Sequence, residues 1–71
     1  MLRIKDLRED KDKKQKEVAK ILNVSQTNYS KYELGKINIP INTLIKMALY
    51  YETSIDYLLG LTNEKKPYPR A

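Results

Sequence analysis

The sequence has no cysteine and no histidine. Without cysteine there is no disulfide framework and no thiolate metal ligand. Without histidine the commonest metal ligand and the commonest neutral-pH general base are both missing. Zinc sites of the usual kinds are therefore excluded. No apolar run approaches the roughly 18 residues that a membrane-spanning helix needs. No apolar signal core follows the N-terminal Met-Leu-Arg-Ile-Lys-Asp, so a cytoplasmic protein is expected. Glycine and proline are scarce, at two and three residues, and they cluster. Gly35 and Pro40 bracket a central loop; Gly60, Pro67 and Pro69 mark the end of the fold. No internal repeat and no sustained period-2 alternation occur, which argues against strands.

What remains is short and basic. At 71 residues the chain is one domain. A chain of this length buries only about 60% of its unfolded surface, so a second subunit would help it. The formal charge is +5, from 14 basic and 9 acidic residues, which favours a polyanionic partner. Between Val18 and Tyr51 the only acid is Glu33, against Lys20, Lys31, Lys36 and Lys46. That stretch has the charge of an electrostatic footprint on nucleic acid.

The apolar spacing predicts five short helices. The first runs from about Leu2 to Lys11 and is followed by the charged connection Asp10-Lys11-Asp12-Lys13-Lys14. The second runs from Gln15 to Leu22, with Val18, Ala19 and Leu22 on one face. Asn23 tolerates the left-handed conformation that ends helices, and Ser25 suits the N-cap of the next. The third runs from Gln26 to Leu34 with a thin apolar side, Tyr29 and Tyr32, and Gly35 ends it. Pro40 suits the first turn of a fourth helix. There Ile41, Leu44, Ile45 and Ala48 follow i, i+3, i+4, i+7 and are expected to face the core, with Met47 and Tyr51 widening the stripe. Thr53-Ser54 caps a fifth helix from Ile55 to about Leu59. Residues 63–71 are polar, basic and Pro-containing and read as a flexible tail behind a 1–62 domain.

Gln15 to Tyr32 forms a unit. A small residue, Ala19, sits where two crossing helices approach closely. Asn23 follows at the sharp turn, and Val24, Tyr29 and Tyr32 pack the second helix onto the first. This spacing, together with Leu7-Arg8-Glu9, Gln15-Lys16-Glu17-Val18-Ala19, Leu22-Asn23-Val24-Ser25-Gln26, Tyr29 to Lys36, Leu44 to Ala48 and Ser54 to Gly60, resembles the Cro/repressor-like (XRE) helix-turn-helix family. The resemblance spans about residues 3–61. It implies an all-α, compact five-helix lambda-repressor-like fold whose third helix enters the DNA major groove, with Gln26, Thr27 and Lys31 facing base edges.

The chemistry agrees with that implication. Gln pairs bidentately with adenine, Lys donates to guanine, and the Thr methyl meets the thymine methyl. Asn28 is a further short polar candidate for base contact, and Ser30 for phosphate. Gln15, at a helix N-terminus, sits where the family places a phosphate contact. Lys14, Lys36 and Asn38 flank the groove from two loops. The resemblance also pairs Glu33 with Arg8 behind the third helix, away from DNA. The sequence departs from the family at Asp12-Lys13-Lys14, which replaces a glycine, an apolar residue and a Ser/Thr cap. The loop is accordingly expected to be weak. Lys13 either covers core with its aliphatic stem or turns outward.

The expected function is that of a sequence-specific DNA-binding transcriptional regulator, a repressor holding a palindromic operator as a homodimer. In related repressors the end of the domain carrying Tyr50, Tyr51, Tyr57, Leu58, Leu59 and Leu61 often forms the two-fold contact, so these residues divide between core and interface. The alternative is a protein-binding module such as an antitoxin or adaptor. The polar, acid-free outward face of the third helix favours double-stranded DNA. No enzyme is expected, since no phosphate loop, histidine, cysteine or purposeful carboxylate pair is present. Neither are a cofactor, a metal, a small-molecule ligand and a membrane contact.

Overall fold

In the computed structural model, which describes residues 2–69, the chain forms α1 (Ile4–Asp10), α2 (Gln15–Leu22), α3 (Gln26–Leu34), α4 (Ile41–Tyr50) and α5 (Ile55–Leu58). The fold is all-α, and no strand occurs among the described residues. The second and third helices have the bounds expected from their capping residues; α1 is shorter at both ends and α5 stops one residue early.

All five helices close in the same way. One residue takes a left-handed φ: Asp12 (56°), Asn23 (58°), Gly35 (70°), Glu52 (53°) and Gly60 (76°). The next residue's N–H then returns to a carbonyl five residues back. These bonds are Lys13 to Arg8 (3.2 Å), Val24 to Ala19 (3.0 Å), Lys36 to Lys31 (3.0 Å), Thr53 to Ala48 (2.9 Å) and Leu61 to Asp56 (2.8 Å). This bond satisfies a carbonyl that the helix end would leave unpaired. It also turns the chain sharply, which is how short helices with short links fold into one globule.

The helix starts are less uniform. Ser25 Oγ accepts from the Asn28 N–H at 3.1 Å, and Ser54 Oγ from the Tyr57 N–H at 3.0 Å. At the start of α2, Lys14 has no side-chain acceptor to offer. Glu17 supplies half of a capping box instead, its Oε1 accepting from the Lys14 N–H at 2.9 Å. The charged α1–α2 connection is tied down from both sides. The Lys13 carbonyl accepts from Arg8 Nη1 at 2.8 Å, and the Lys11 ammonium sits 5.0 Å from the Tyr50 ring centroid.

The core gathers Ile4 and Leu7 from α1, Val18, Ala19 and Leu22 from α2, and Tyr29 and Tyr32 from α3. Met47, Ala48, Tyr51 and Leu58 complete it from the C-terminal half. Tyr29 is its largest fully buried side chain and meets Tyr32 edge-on, with ring centroids 6.5 Å apart. Arg3 ties the two chain ends together. Its N–H donates to the Leu58 carbonyl at 2.9 Å, and its guanidinium stacks on Tyr57 at 4.2 Å and donates to the Thr62 carbonyl.

The fourth helix corrects one expectation. Its core face is Thr43, Met47 and Ala48, continued by Tyr51. Leu44 is half-buried, while Ile41 and Ile45 remain 69% and 45% exposed, with Leu49 at 52%. The buried face lies roughly a quarter turn from the stripe read from spacing. The cause is that α4 is apolar around most of its circumference, so hydropathy alone does not set its phase. Thr43 and Ala48 are small enough for close approach, and Met47 fills the space between them.

Residues 63–69 carry no helix and lie back on the domain. Thr53 Oγ1 donates to the Lys65 carbonyl at 2.6 Å, and the Tyr68 hydroxyl donates to Asp56 Oδ2 at 3.1 Å. Pro67, Tyr68 and Pro69 share a cavity with Ile45, Ala48, Leu49 and Ile55. Met1, Arg70 and Ala71, the outermost residues of the 1–62 domain and the 63–71 tail as read from the sequence, lie outside the described residues. No helix among the described residues is long and apolar enough to cross a membrane.

Candidate nucleic-acid interface

The third helix owes its two faces to its composition. Its apolar residues are Tyr29, Tyr32 and Leu34; three-residue spacing puts the two tyrosines on one side, and Leu34, at the C-terminal end, stays exposed. Both tyrosines are buried, which forces Gln26, Thr27, Asn28 and Lys31 outward, and all four are exposed. Ser25 caps the helix and so fixes where Gln26 and Thr27 emerge from the turn.

Five of the candidate residues meet in one concavity. Gln26, Thr27, Ser30 and Lys31 of α3 line it together with Gln15, the first residue of α2. Gln15 and Ser30 are half-buried there; Gln26, Thr27 and Lys31 are exposed. No acid lines it, and Lys31 is its cation. Lys14, Asn28, Lys36 and Asn38 are exposed outside the concavity, Lys36 and Asn38 on the α3–α4 connection. The cavity carries hydrogen-bond donors and acceptors of both kinds and one positive charge. That suits the edge of a base pair beside a phosphate.

Behind this face lies a buried polar cluster. Arg8 and Glu33 form a two-point pair, Nε to Oε2 at 2.7 Å and Nη2 to Oε1 at 3.2 Å. Their side chains are only 12% and 3% exposed. Gln15 Nε2 donates to Glu33 Oε1 at 3.0 Å. Burial acts to raise the Glu33 carboxyl, but hydrogen bonds from Arg8 and then Gln15 outweigh it and hold the group below the usual carboxylate range. The same hydrogen bond raises Arg8, so the pair stays charged.

Two tyrosine hydroxyls border the cluster, those of Tyr29 and Tyr51. Both are buried, and neither makes a well-formed hydrogen bond. Burial pushes Tyr29 far above the usual phenol range, helped by the neighbouring Glu33. Burial pushes Tyr51 up to about 12. Both therefore stay protonated at any ordinary pH. The Gln15–Glu33 contact and these hydroxyls escape sequence reading because the residues are far apart in the chain. The only available signal is that an acid in a basic stretch needs a partner. Among the described residues no group of three or more His, Cys, Asp or Glu is placed to hold a metal.

Comparison with known proteins points one way. The Helix-turn-helix family model matches residues 4–58. The chain is 40% identical over 58 residues to the HTH-type transcriptional regulator ImmR of Bacillus subtilis, covering 82% of this chain and 46% of that protein. It is 35% identical over 61 residues to a prophage-derived uncharacterized HTH-type transcriptional regulator, YonR, of the same organism, covering 86% of this chain and 56% of the relative. It is 29% identical over 65 residues to an uncharacterized HTH-type transcriptional regulator, YobD, also of that organism, covering 92% and 58%. The chain thus spans about half the length of these curated relatives. No solved structure matches it significantly.

Proposed function

Since the chain belongs to the helix-turn-helix family, we propose that it is the DNA-binding part of a transcriptional regulator, reading a specific site through the outward face of α3. The observation that carries this reading is the acid-free concavity where Gln15, Gln26, Thr27, Ser30 and Lys31 meet. The one acid of α3, Glu33, is turned inward and neutralised by Arg8. Gln26, Thr27, Asn28 and Lys31 contact base edges. Lys14, Gln15, Ser30, Lys36 and Asn38 contact phosphates. The relatives' descriptions as transcriptional regulators support the reading.

The protein acts as a repressor, with two copies placing their α3 helices in successive major grooves about 34 Å apart on a palindromic site. Support for a second copy comes from α4, which leaves Ile41, Ile45 and Leu49 exposed along one side. That same side favours the protein-binding reading, in which an antitoxin or adaptor uses the apolar face of α4 and leaves α3 idle.

Selection of bound sites from a random duplex pool, repeated at several salt concentrations, separates the two. A two-fold-symmetric motif that survives added salt is the expected result. Salt-sensitive binding with no motif contradicts sequence reading, because phosphate contacts alone carry no base information.

A further inference from the structure

The Glu33 carboxylate does more than close a pair with Arg8. Its Oε2 accepts from Arg8 Nε, and its Oε1 accepts both from Arg8 Nη2 at 3.2 Å and from Gln15 Nε2 at 3.0 Å. Gln15 in turn lines the concavity with Gln26, Thr27, Ser30 and Lys31. One buried acid on the inner side of α3 is thereby joined to the outer side through a single amide.

Charge decides which way that amide points. An ionised carboxylate has no proton to donate. Gln15 must turn its NH2 group toward Glu33, which leaves its Oε1 and its second N–H for other partners. The carboxylate cannot follow if the amide rotates, because Arg8 grips both of its oxygens and is itself held by the Lys13 carbonyl at 2.8 Å. Water competes little for it, since the Glu33 side chain is only 3% exposed.

We propose that Glu33 is a positioning residue for DNA contact: it holds the Gln15 amide in one orientation before DNA arrives. The proposal rests on the DNA-binding reading above. A free glutamine loses several rotamers when it binds, and one already held does not. The remaining Gln15 N–H is then the donor offered to a phosphate at the edge of the concavity, with the Lys31 charge beside it. This role differs from that of the ion pair with Arg8, which joins α1 to α3.

The test is a double-mutant cycle on the affinity for a duplex recovered by random-pool selection. The proteins are wild type, Gln15→Ala, Glu33→Gln and the double variant. Glu33→Gln keeps the size and a carbonyl acceptor but adds an NH2, so Gln15 is no longer forced one way. Each single variant is expected to weaken binding by about three- to tenfold. Adding Gln15→Ala to Glu33→Gln is expected to cost less than about twofold more. Losses that multiply in the double variant overturn the proposal. A purely structural Glu33 would lower thermal stability yet leave the Gln15→Ala effect intact.

If Glu33→Gln does not fold, the wild type without DNA supplies the reading. The Gln15 side-chain amide is expected to be ordered and slow to exchange in NMR spectra, unlike that of Gln26. Equal mobility of the two overturns the proposal. A wild type that binds no duplex removes the functional reading and this proposal together. Binding with multiplying losses removes the proposal alone.

Discussion

Helix α3 buries two of its three apolar side chains, leaving Leu34 exposed at its end and a polar face outside, whereas α4 has more apolar side chains than the core can take. In α3 the buried residues are Tyr29 and Tyr32, and the exposed face is Gln26, Thr27, Asn28 and Lys31. In α4 the core takes Thr43, Met47 and Ala48, and Ile41, Ile45 and Leu49 stay in water. The difference teaches that scarcity sets a helix's phase more firmly than abundance. Two tyrosines three residues apart admit one orientation. Seven apolar residues around a ten-residue helix admit several, and size complementarity chooses among them. Surplus apolar surface on α4 is then free for a partner, while on α3 only Leu34, at the C-terminal end, is left exposed.

The comparison breaks most visibly at Tyr29. If the inner face of α3 is what holds it, Tyr29→Ala should cost about 3–5 kcal/mol in chemical denaturation and leave little folded protein at room temperature. A loss below about 1 kcal/mol would mean that α3 is held by something else.

Next in size is Glu33→Ala, which strands the Arg8 guanidinium and should cost about 3 kcal/mol. Replacing both partners, Arg8→Met with Glu33→Leu, should cost less than the single change. The pair also has a pH signature. Because the Glu33 carboxyl is held low when folded, its stabilisation is complete above the ordinary carboxyl range and disappears as pH falls through the depressed value. Melting temperature against pH should therefore show an acid-side drop that Glu33→Gln lacks. The tyrosines act at the other end. Tyr51 is raised to about 12, so its contribution is complete below the unfolded phenol value near 10 and is lost as pH rises from there through 12. Tyr51→Phe should flatten the alkaline limb of the same curve.

A smaller effect is expected at Ser25. Ser25→Ala removes the acceptor for the Asn28 N–H and should cost about 1 kcal/mol by thermal melting. The smallest is on the exposed side of α4. Ile41→Ser should change stability by less than about 0.5 kcal/mol. Sedimentation of the same variant sharpens the comparison, since a second copy seated on this face should be weakened while the monomer fold is untouched.

Much of the fold was legible because local chemistry marked it. Asn23, Ser25 and Gly35 punctuate α2 and α3, and both helices have the bounds their caps imply. The left-handed turn at Glu52 was not legible, because glutamate carries no preference for positive φ. There the Ala48–Thr53 backbone bond and a buried Thr53 impose the conformation from outside. The link from Thr53 to the Lys65 carbonyl was equally hidden, since nothing in a polar, proline-containing segment specifies what it lies against. At the candidate site, exposure of the α3 residues followed from two tyrosines. The hydrogen bond from Gln15 to Glu33 did not, because it joins side chains 18 residues apart through a geometry only the folded chain defines.

The central claim is that the outward face of α3 reads bases while Gln15 and its neighbours hold phosphates. It is tested most directly by repeating the random-pool selection with Gln26→Ala. Preference should relax at one base position per half-site, by about 1–3 kcal/mol for a bidentate contact, with the salt dependence unchanged. An unaltered motif bound more weakly at every sequence would contradict it.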